Sequence, residues 1–162
     1  MSHPKIIIFP DQLLSTPTRA VTEFDSNLIS LVKNLVTVMV EAPGVGVAAN
    51  QIGIDLAVAV IGIPSTDQPL VLVNPEIVKS SKPVQFDYEG CLSLPGYWGS
   101  PMRSERVRVD FQDALGNSHT LDATEYLAQV IQHETDHLNG YVFEQRLPDG
   151  DSLQATDSEN PG

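Results

Sequence analysis

Near its C-terminal end the chain reads QHETDH, Gln132 to His137. On a helix that spacing puts His133 and His137 one turn apart on the same face, with Glu134 beside the first of them. The flanking residues ask for a helix. Leu127, Ile131 and Leu138 make one inward row, and Tyr126, Val130, His133 and His137 make its neighbour. Three ionisable side chains therefore stand where the period calls for core. Burying a glutamate and two imidazoles is costly unless they are paired or bound to a metal ion. Two hydrogen-bonded core histidines with an accidental glutamate are the plain alternative. The His-Glu-x-x-His order favours the metal, and a metal needs at least one further protein ligand.

Downstream of His137 the extended zinc-peptidase pattern is partly present. Gly140 is in register, but Phe143 occupies the position where that pattern has its third histidine. Only acids such as Glu144 and Asp149 remain on that side. Upstream, the one cysteine, Cys91, sits in EGCLSLPG, where Gly90 loosens the backbone and Pro95–Gly96 marks a turn. A thiolate there could complete a Cys-His-His set with an open fourth position. A lone cysteine is more often a small buried hydrophobe. The glycines of GVGVAANQIG (Gly44–Gly53) allow close backbone approach, but neither the lysine nor the spacing of a phosphate loop is present.

The rest of the chain reads as an α+β domain. Apolar residues from Asn27 to Glu41 recur with helical spacing, with Asp25 or Ser26 as cap and Ala42–Gly44 as stop. Strands are predicted at Lys5–Phe9, Ala57–Ile63, Leu70–Val73, Ile77–Ser80, Pro83–Phe86, Arg106–Phe111, His119–Leu121 and Tyr141–Leu147. Asp113–Asn117 is expected to be a hairpin turn. The second helix is expected over Ala123–Leu138, capped by Asp122, with Glu125 completing a capping box. Strands around two separate helices, without regular βαβ alternation, give the fold class. Residues 1–147 are expected to form one catalytic domain, and 148–162, with four acids and no base, a disordered acidic tail. A single cysteine, no long apolar run and no secretory pattern lead us to expect a cytoplasmic protein off the membrane. A net charge of −12 argues against nucleic acid as a partner. The one local basic stretch, Met102–Arg108, alternates like a strand and reads as solvated arginines.

Three stretches taken together, GVGVAANQ (Gly44–Gln51), EGCLS (Glu89–Ser93) and QHETDH (Gln132–His137), closely resemble the signatures of the peptide deformylases, in that family's order. The likeness runs from about Phe9 to Leu147 and includes NPEI (Asn74–Ile77) and DHLNG (Asp136–Gly140). The resemblance implies removal of formate from the N-formyl-methionine of newly made polypeptides. It also implies β-sheets packed around a central HExxH helix, plus one N-terminal helix. Cys91, His133 and His137 would hold one divalent metal, natively Fe2+, with Ni2+, Co2+ or Zn2+ as substitutes. Glu134 would move the proton, while the Gln51 amide and the Leu92 N–H would stabilise charge on the formyl oxygen. The peptide would lie extended against Val45, Gly46 and Gly90. Its methionine would enter a pocket of Val45, Tyr126, Val130 and the His133 ring, with Tyr97 and Trp98 at the rim. Glu89 would pair with Arg103 behind the site, and Asp136 would help to orient it. A monomer is expected. Many bacterial relatives carry a basic C-terminal helix linked to ribosome docking. The acidic tail in its place puts that association in question. The rivals are a protein that keeps the fold only to bind metal, and an amidase for another N-acyl group.

Overall fold

The segment Val58–Ile61 is apolar at every position, and all four residues are buried. Strand alternation explains why both of its faces need covering. Val58 and Val60 join the core under the N-terminal helix, whereas Ile61 joins the core under the C-terminal helix. The next strand behaves alike, with Val73 on the first face and Leu72 on the second. The computed structural model describes residues 4–42 and 44–156.

In chain order the described residues form α1 (Ser26–Glu41), β1 (Gly46–Ala48), β2 (Val58–Ile61), β3 (Leu70–Ser80), β4 (Pro83–Gln85) and β5 (Glu89–Gly90). They continue with β6 (Tyr97–Gly99), β7 (Met102–Ser104), β8 (Arg106–Gln112), β9 (Ser118–Thr124), α2 (Glu125–Leu138) and β10 (Gln154–Ala155). A five-stranded sheet has the order β1-β2-β3-β8-β9, a three-stranded sheet β10-β6-β5, and β4 pairs with β7. Every pairing is antiparallel. With two α-helices beside these sheets, the fold is α+β. No helix among the described residues is long and apolar enough to cross a membrane.

Local chemistry sets the element ends. Asp25 caps α1, its carboxylate accepting from the backbone N–H groups of Asn27 and Leu28 at 3.1 and 3.2 Å. Leu28, Leu31, Leu35, Val38 and Met39 form the buried stripe of α1, while Val32 and Val36 pack at its margin. Ala42 closes the helix, and the Pro43 part of the expected stop lies outside the described residues. The turn at Asp113–Asn117 forms as expected, with the Asp113 carboxylate accepting from the N–H groups of Leu115 and Asn117.

Several expectations need correction. Lys5–Phe9 is not a strand. It is an extended run that donates from Ile7 to the Gln51 carbonyl and from Phe9 to the Ser93 carbonyl, tying two signature loops together. The two strands foreseen at 70–73 and 77–80 are one, β3, which absorbs Asn74 as an irregularity at φ 51°. Asn74 stays there because its side chain accepts from Val21 N and donates to Val21 O. Asp122 does not cap α2; it lies in β9 and pairs with Arg108. That strand runs on to Thr124, and α2 starts at Glu125, whose N–H donates to the Glu105 carbonyl instead of joining a capping box. Tyr141–Leu147 is not a strand either, since Phe143–Arg146 is a 3-10 turn that buries Phe143. The expected disordered tail is structured as far as Thr156, through β10. Its remaining residues, 157–162, lie outside the described residues.

Candidate metal centre

Helix α2 carries the HExxH residues on the face turned towards β1, β2 and the EGCLS loop, and all three ionisable groups are buried. His133 Nε2 and His137 Nε2 lie 3.2 Å apart, with their rings edge to face. Cys91 Sγ stands 3.2 Å from His137 Nε2, and the donor atoms of all three residues fall within 4.8 Å of one another. Two imidazole nitrogens and a thiol sulfur thus face one point, which is the softness and spacing a divalent transition metal asks for. The set fits such an ion.

The protonation pattern around that point has identifiable causes. Burial, reinforced by His133, holds His137 well below the ordinary imidazole range. Burial also works against a proton on His133. The attraction of Glu89 and then of Glu134 outweighs it, and the net shift is well upward. Glu89 is held at about 2 because His133 and Arg103 more than offset its own burial. Burial pushes the Glu134 carboxyl up to about 7. Among the described residues its Oε1 has no hydrogen-bond partner, and neither has His137 Nδ1.

A chain of charges orients the histidine. Glu89 Oε2 accepts from His133 Nδ1 at 2.6 Å, which leaves Nε2 to face the convergence point. Arg103 grips Glu89 with Nε and Nη2 at 3.0 and 2.6 Å, and its Nη1 reaches Asp136 at 2.6 Å. The expected Glu89–Arg103 pair and the role of Asp136 beside it are therefore present as geometry. Arg103 is 3% exposed, so it is not one of the solvated arginines foreseen for Met102–Arg108.

Gln51 is pinned in one orientation. Its Oε1 accepts from Ala48 N at 2.9 Å, which turns Nε2 towards Ser93 Oγ at 3.1 Å and Cys91 Sγ at 3.7 Å. Gly46 faces Glu134, and a Cβ added there would sit 2.9 Å from the Glu134 Oε2 atom. The alternating glycines suggested close approach by another backbone; at Gly46 it is the Glu134 side chain that comes close.

A cavity of about 700 Å³ opens over these groups. Val45, Gly46, Gln51, Gly90, Cys91, Leu92, Tyr97, Tyr126, Val130, His133 and Glu134 all border it, whereas the fully buried His137 does not. Trp98 does not; it stacks on Tyr88, which does, with ring centroids 5.5 Å apart.

Sequence reasoning missed Tyr88, Gln129 and Thr156 in the lining, Asn50, whose Nδ2 donates to the His137 carbonyl at 2.6 Å, and Arg146, which grips Asp136. Asn50 had a signal, standing next to Gln51 in the glycine-rich motif. Gln129 acts by donating to the Tyr88 carbonyl and the Glu89 carboxylate, contacts that no spacing announces.

Comparison with known proteins bears on what this arrangement belongs to. The family model described as polypeptide deformylase matches residues 3–152. The peptide deformylase of Borreliella burgdorferi is 37% identical over 139 residues, covering 86% of this chain and 84% of that one. That of Cellvibrio japonicus is 42% identical over 140 residues, covering 85% and 82%. The crystal structure of a peptide deformylase from Legionella pneumophila aligns with a TM-score of 0.86 at 38% identity, over 91% of this chain and 88% of that one. The peptide deformylase from Synechococcus elongatus in complex with actinonin gives 0.86 at 35%, over 93% and 82%. Matches of that extent, in sequence and in fold alike, place this chain in the polypeptide deformylase family.

Proposed function

We propose that this chain hydrolyses the formyl amide of N-terminal formyl-methionine on newly made polypeptides, using one divalent ion held by Cys91, His133 and His137. The observation that carries the reading is the convergence of those three donors beside Glu134, at the floor of a cavity. Fe2+ is the ion that the family likeness implies, and a mixed imidazole–thiolate set can also take Ni2+, Co2+ or Zn2+. The ion, when bound, supplies Lewis acidity and makes water a competent nucleophile near neutral pH. Glu134, on its carboxylate, would accept a proton from the attacking water and pass it to the departing amine. Gln51 Nε2 and the Leu92 N–H face the formyl oxygen as charge builds on it.

The substrate binds as an added strand. β1 and β5 are both edge strands of their sheets, and they carry Gly46 and Gly90. An extended peptide between them is read through its main chain, which leaves its downstream sequence loosely specified. Val45, Tyr126, Val130 and the face of His133 take the methionine side chain, and Tyr97 stands at the rim. The HExxH helix is, in this reading, the centre around which the sheets pack. The protein works as a cytoplasmic monomer, with no nucleic acid among its partners.

The test is formate release from a formyl-Met dipeptide by protein purified anaerobically with Fe2+ or Ni2+, alongside Glu134→Gln. We expect turnover in the wild type and a loss of about 10²–10⁴ in the variant, with its metal retained. Fully metallated wild type that releases no formate would overturn the reading.

A further inference from the structure

The two histidines of the candidate centre are not held alike. Glu89 takes the Nδ1–H of His133 at 2.6 Å, whereas Nδ1 of the fully buried His137 has no partner among the described residues. A histidine that binds a metal through Nε2 carries its ring proton on Nδ1. That N–H is almost always given to an acceptor, which fixes the plane of the ring. Left buried and unpaired, it is a cost with nothing to offset it.

Asn50 stands against the same residue. It is fully buried in the 3-10 turn Ala49–Ile52, and its Nδ2 donates to the His137 carbonyl at 2.6 Å, one of the carbonyls that a helix end leaves open. That bond settles the amide. Its NH2 must face the carbonyl, so Oδ1 faces away, and Oδ1 too is buried without a partner among the described residues. Two other buried side-chain atoms there lack a partner, Glu134 Oε1 and Thr135 Oγ1. Glu134 turns towards the cavity, with Oε2 3.9 Å from His133 Nε2, on the side of the convergence point. Thr135 precedes His137 by two residues, and side chains at that spacing do not share a helix face. We propose that Asn50 is the positioning residue of His137: its Oδ1 is the acceptor for the ring Nδ1–H, while its Nδ2 holds the backbone of the same residue. The link closes directly as the ring settles on the ion, or across one buried water, and in both cases Asn50 sets the plane of the imidazole. Gln51 is the next residue, so one turn fixes both a ligand ring and the amide that faces the formyl oxygen. The proposal rests on the metal-binding deformylase reading.

The experiment uses the full-length protein and reads Zn2+ affinity by competition with a chelator, together with the visible bands of the Co2+-loaded form. Asn50→Leu removes donor and acceptor at similar size, whereas Asn50→Asp removes the donor and keeps an acceptor. We expect Asn50→Leu to bind Zn2+ about 10–100-fold more weakly and Asn50→Asp to stay within about threefold of wild type, with the Co2+ bands shifted only in the first. A contact that mattered only through the His137 carbonyl would give the reverse order, because a carboxylate facing a carbonyl is worse than a leucine. Asn50→Leu with wild-type affinity, or losses in Asn50→Asp that equal or exceed it, would overturn the assignment and leave the deformylase reading standing. A wild type that binds no metal would overturn both. If neither variant folds, the Zn2+-loaded wild type with 15N-labelled histidine decides. Its His137 ring should show an Nδ1–H that exchanges far more slowly than the ring of the exposed His119 and gives a nuclear Overhauser contact to the Asn50 amide, and the lack of either would overturn the assignment.

Discussion

Replacing Arg103 by Met tests whether the buried charge network holds the site. The substitution keeps an apolar stem of similar length and removes a guanidinium that makes three hydrogen bonds to two carboxylates. Removing one partner of a buried ion pair costs about 3–5 kcal/mol. The low end applies here, because neither acid is stranded. Glu89 keeps His133 Nδ1 at 2.6 Å and Gln129 Nε2 at 3.1 Å, and Asp136 keeps Arg146 at 2.8 and 3.0 Å. About 3 kcal/mol is a large part of the roughly 5–15 kcal/mol that holds a domain together. At this chain length it corresponds to about 6–12 °C in Tm. Because Glu89 orients His133, metal affinity should fall as well, by about 10–100-fold. Calorimetry of the metal-loaded protein reads the first effect, and competition with a chelator reads the second. Arg103→Met combined with Glu89→Gln should cost less than the sum of the two singles. A Tm shift under about 2 °C with metal affinity within twofold of wild type would refute the reasoning.

Other expectations follow from single contacts. Gly46→Ala puts a Cβ 2.9 Å from Glu134 Oε2 and 3.1 Å from its Cδ, so the carboxylate must move. Formate release should drop at least tenfold with metal content unchanged, and full activity would show that Glu134 has slack. Gln51→Leu removes the donor held by Ala48 and should cost about 10²–10³ in kcat, read in the same assay. The exposed turn gives a pH signature. Hydrogen bonding from His119, with further help from the N–H groups of Asn117 and Leu115, lowers Asp113 from the usual 3.8 to about 2. A lowered folded value means its stabilisation is complete above about pH 4 and fades as pH falls towards 2. The gap in urea midpoint between wild type and Asp113→Asn should therefore narrow across that window, and a constant gap would contradict the assignment.

The residues of the candidate centre were legible because each side chain breaks a local rule: two imidazoles and a carboxylate in an apolar helical row, and a lone cysteine between glycine and a turn. Gln51 and the Gly46 approach came with the same glycine-rich motif. What escaped notice acts through main chain or through partners remote in sequence. β10 is two exposed residues in a polar segment, paired by backbone alone, so no periodicity marks it. Thr156 reaches the cavity only because β10 aligns it with Gly96. The misplaced start of α2 has a comparable origin. Asp122 has the chemistry of a cap, but strand pairing with Arg108 claims it first, and a tertiary bond from Glu125 N to the Glu105 carbonyl fixes where the helix begins.

The segment expected as a last strand shows why its actual form matters to the site. As a 3-10 turn, Phe143–Arg146 seals Phe143 against His133, with ring centroids 6.2 Å apart, and swings Arg146 onto Asp136. Charges then alternate from the surface inwards: Arg146, Asp136, Arg103, Glu89, His133. The links are not equivalent. The Arg146 side chain is 42% exposed, where water weakens an ion pair to about 1 kcal/mol or less, whereas that of Arg103 is 2% exposed. The inner pair must therefore set the position of His133, and the outer arginine chiefly balances the Asp136 carboxylate that would otherwise face Arg103 with a spare lone pair. In a sequence whose net charge is −12, the one buried arginine among the described residues, Arg103, stands where an unpaired carboxylate would do most harm to the orientation of His133.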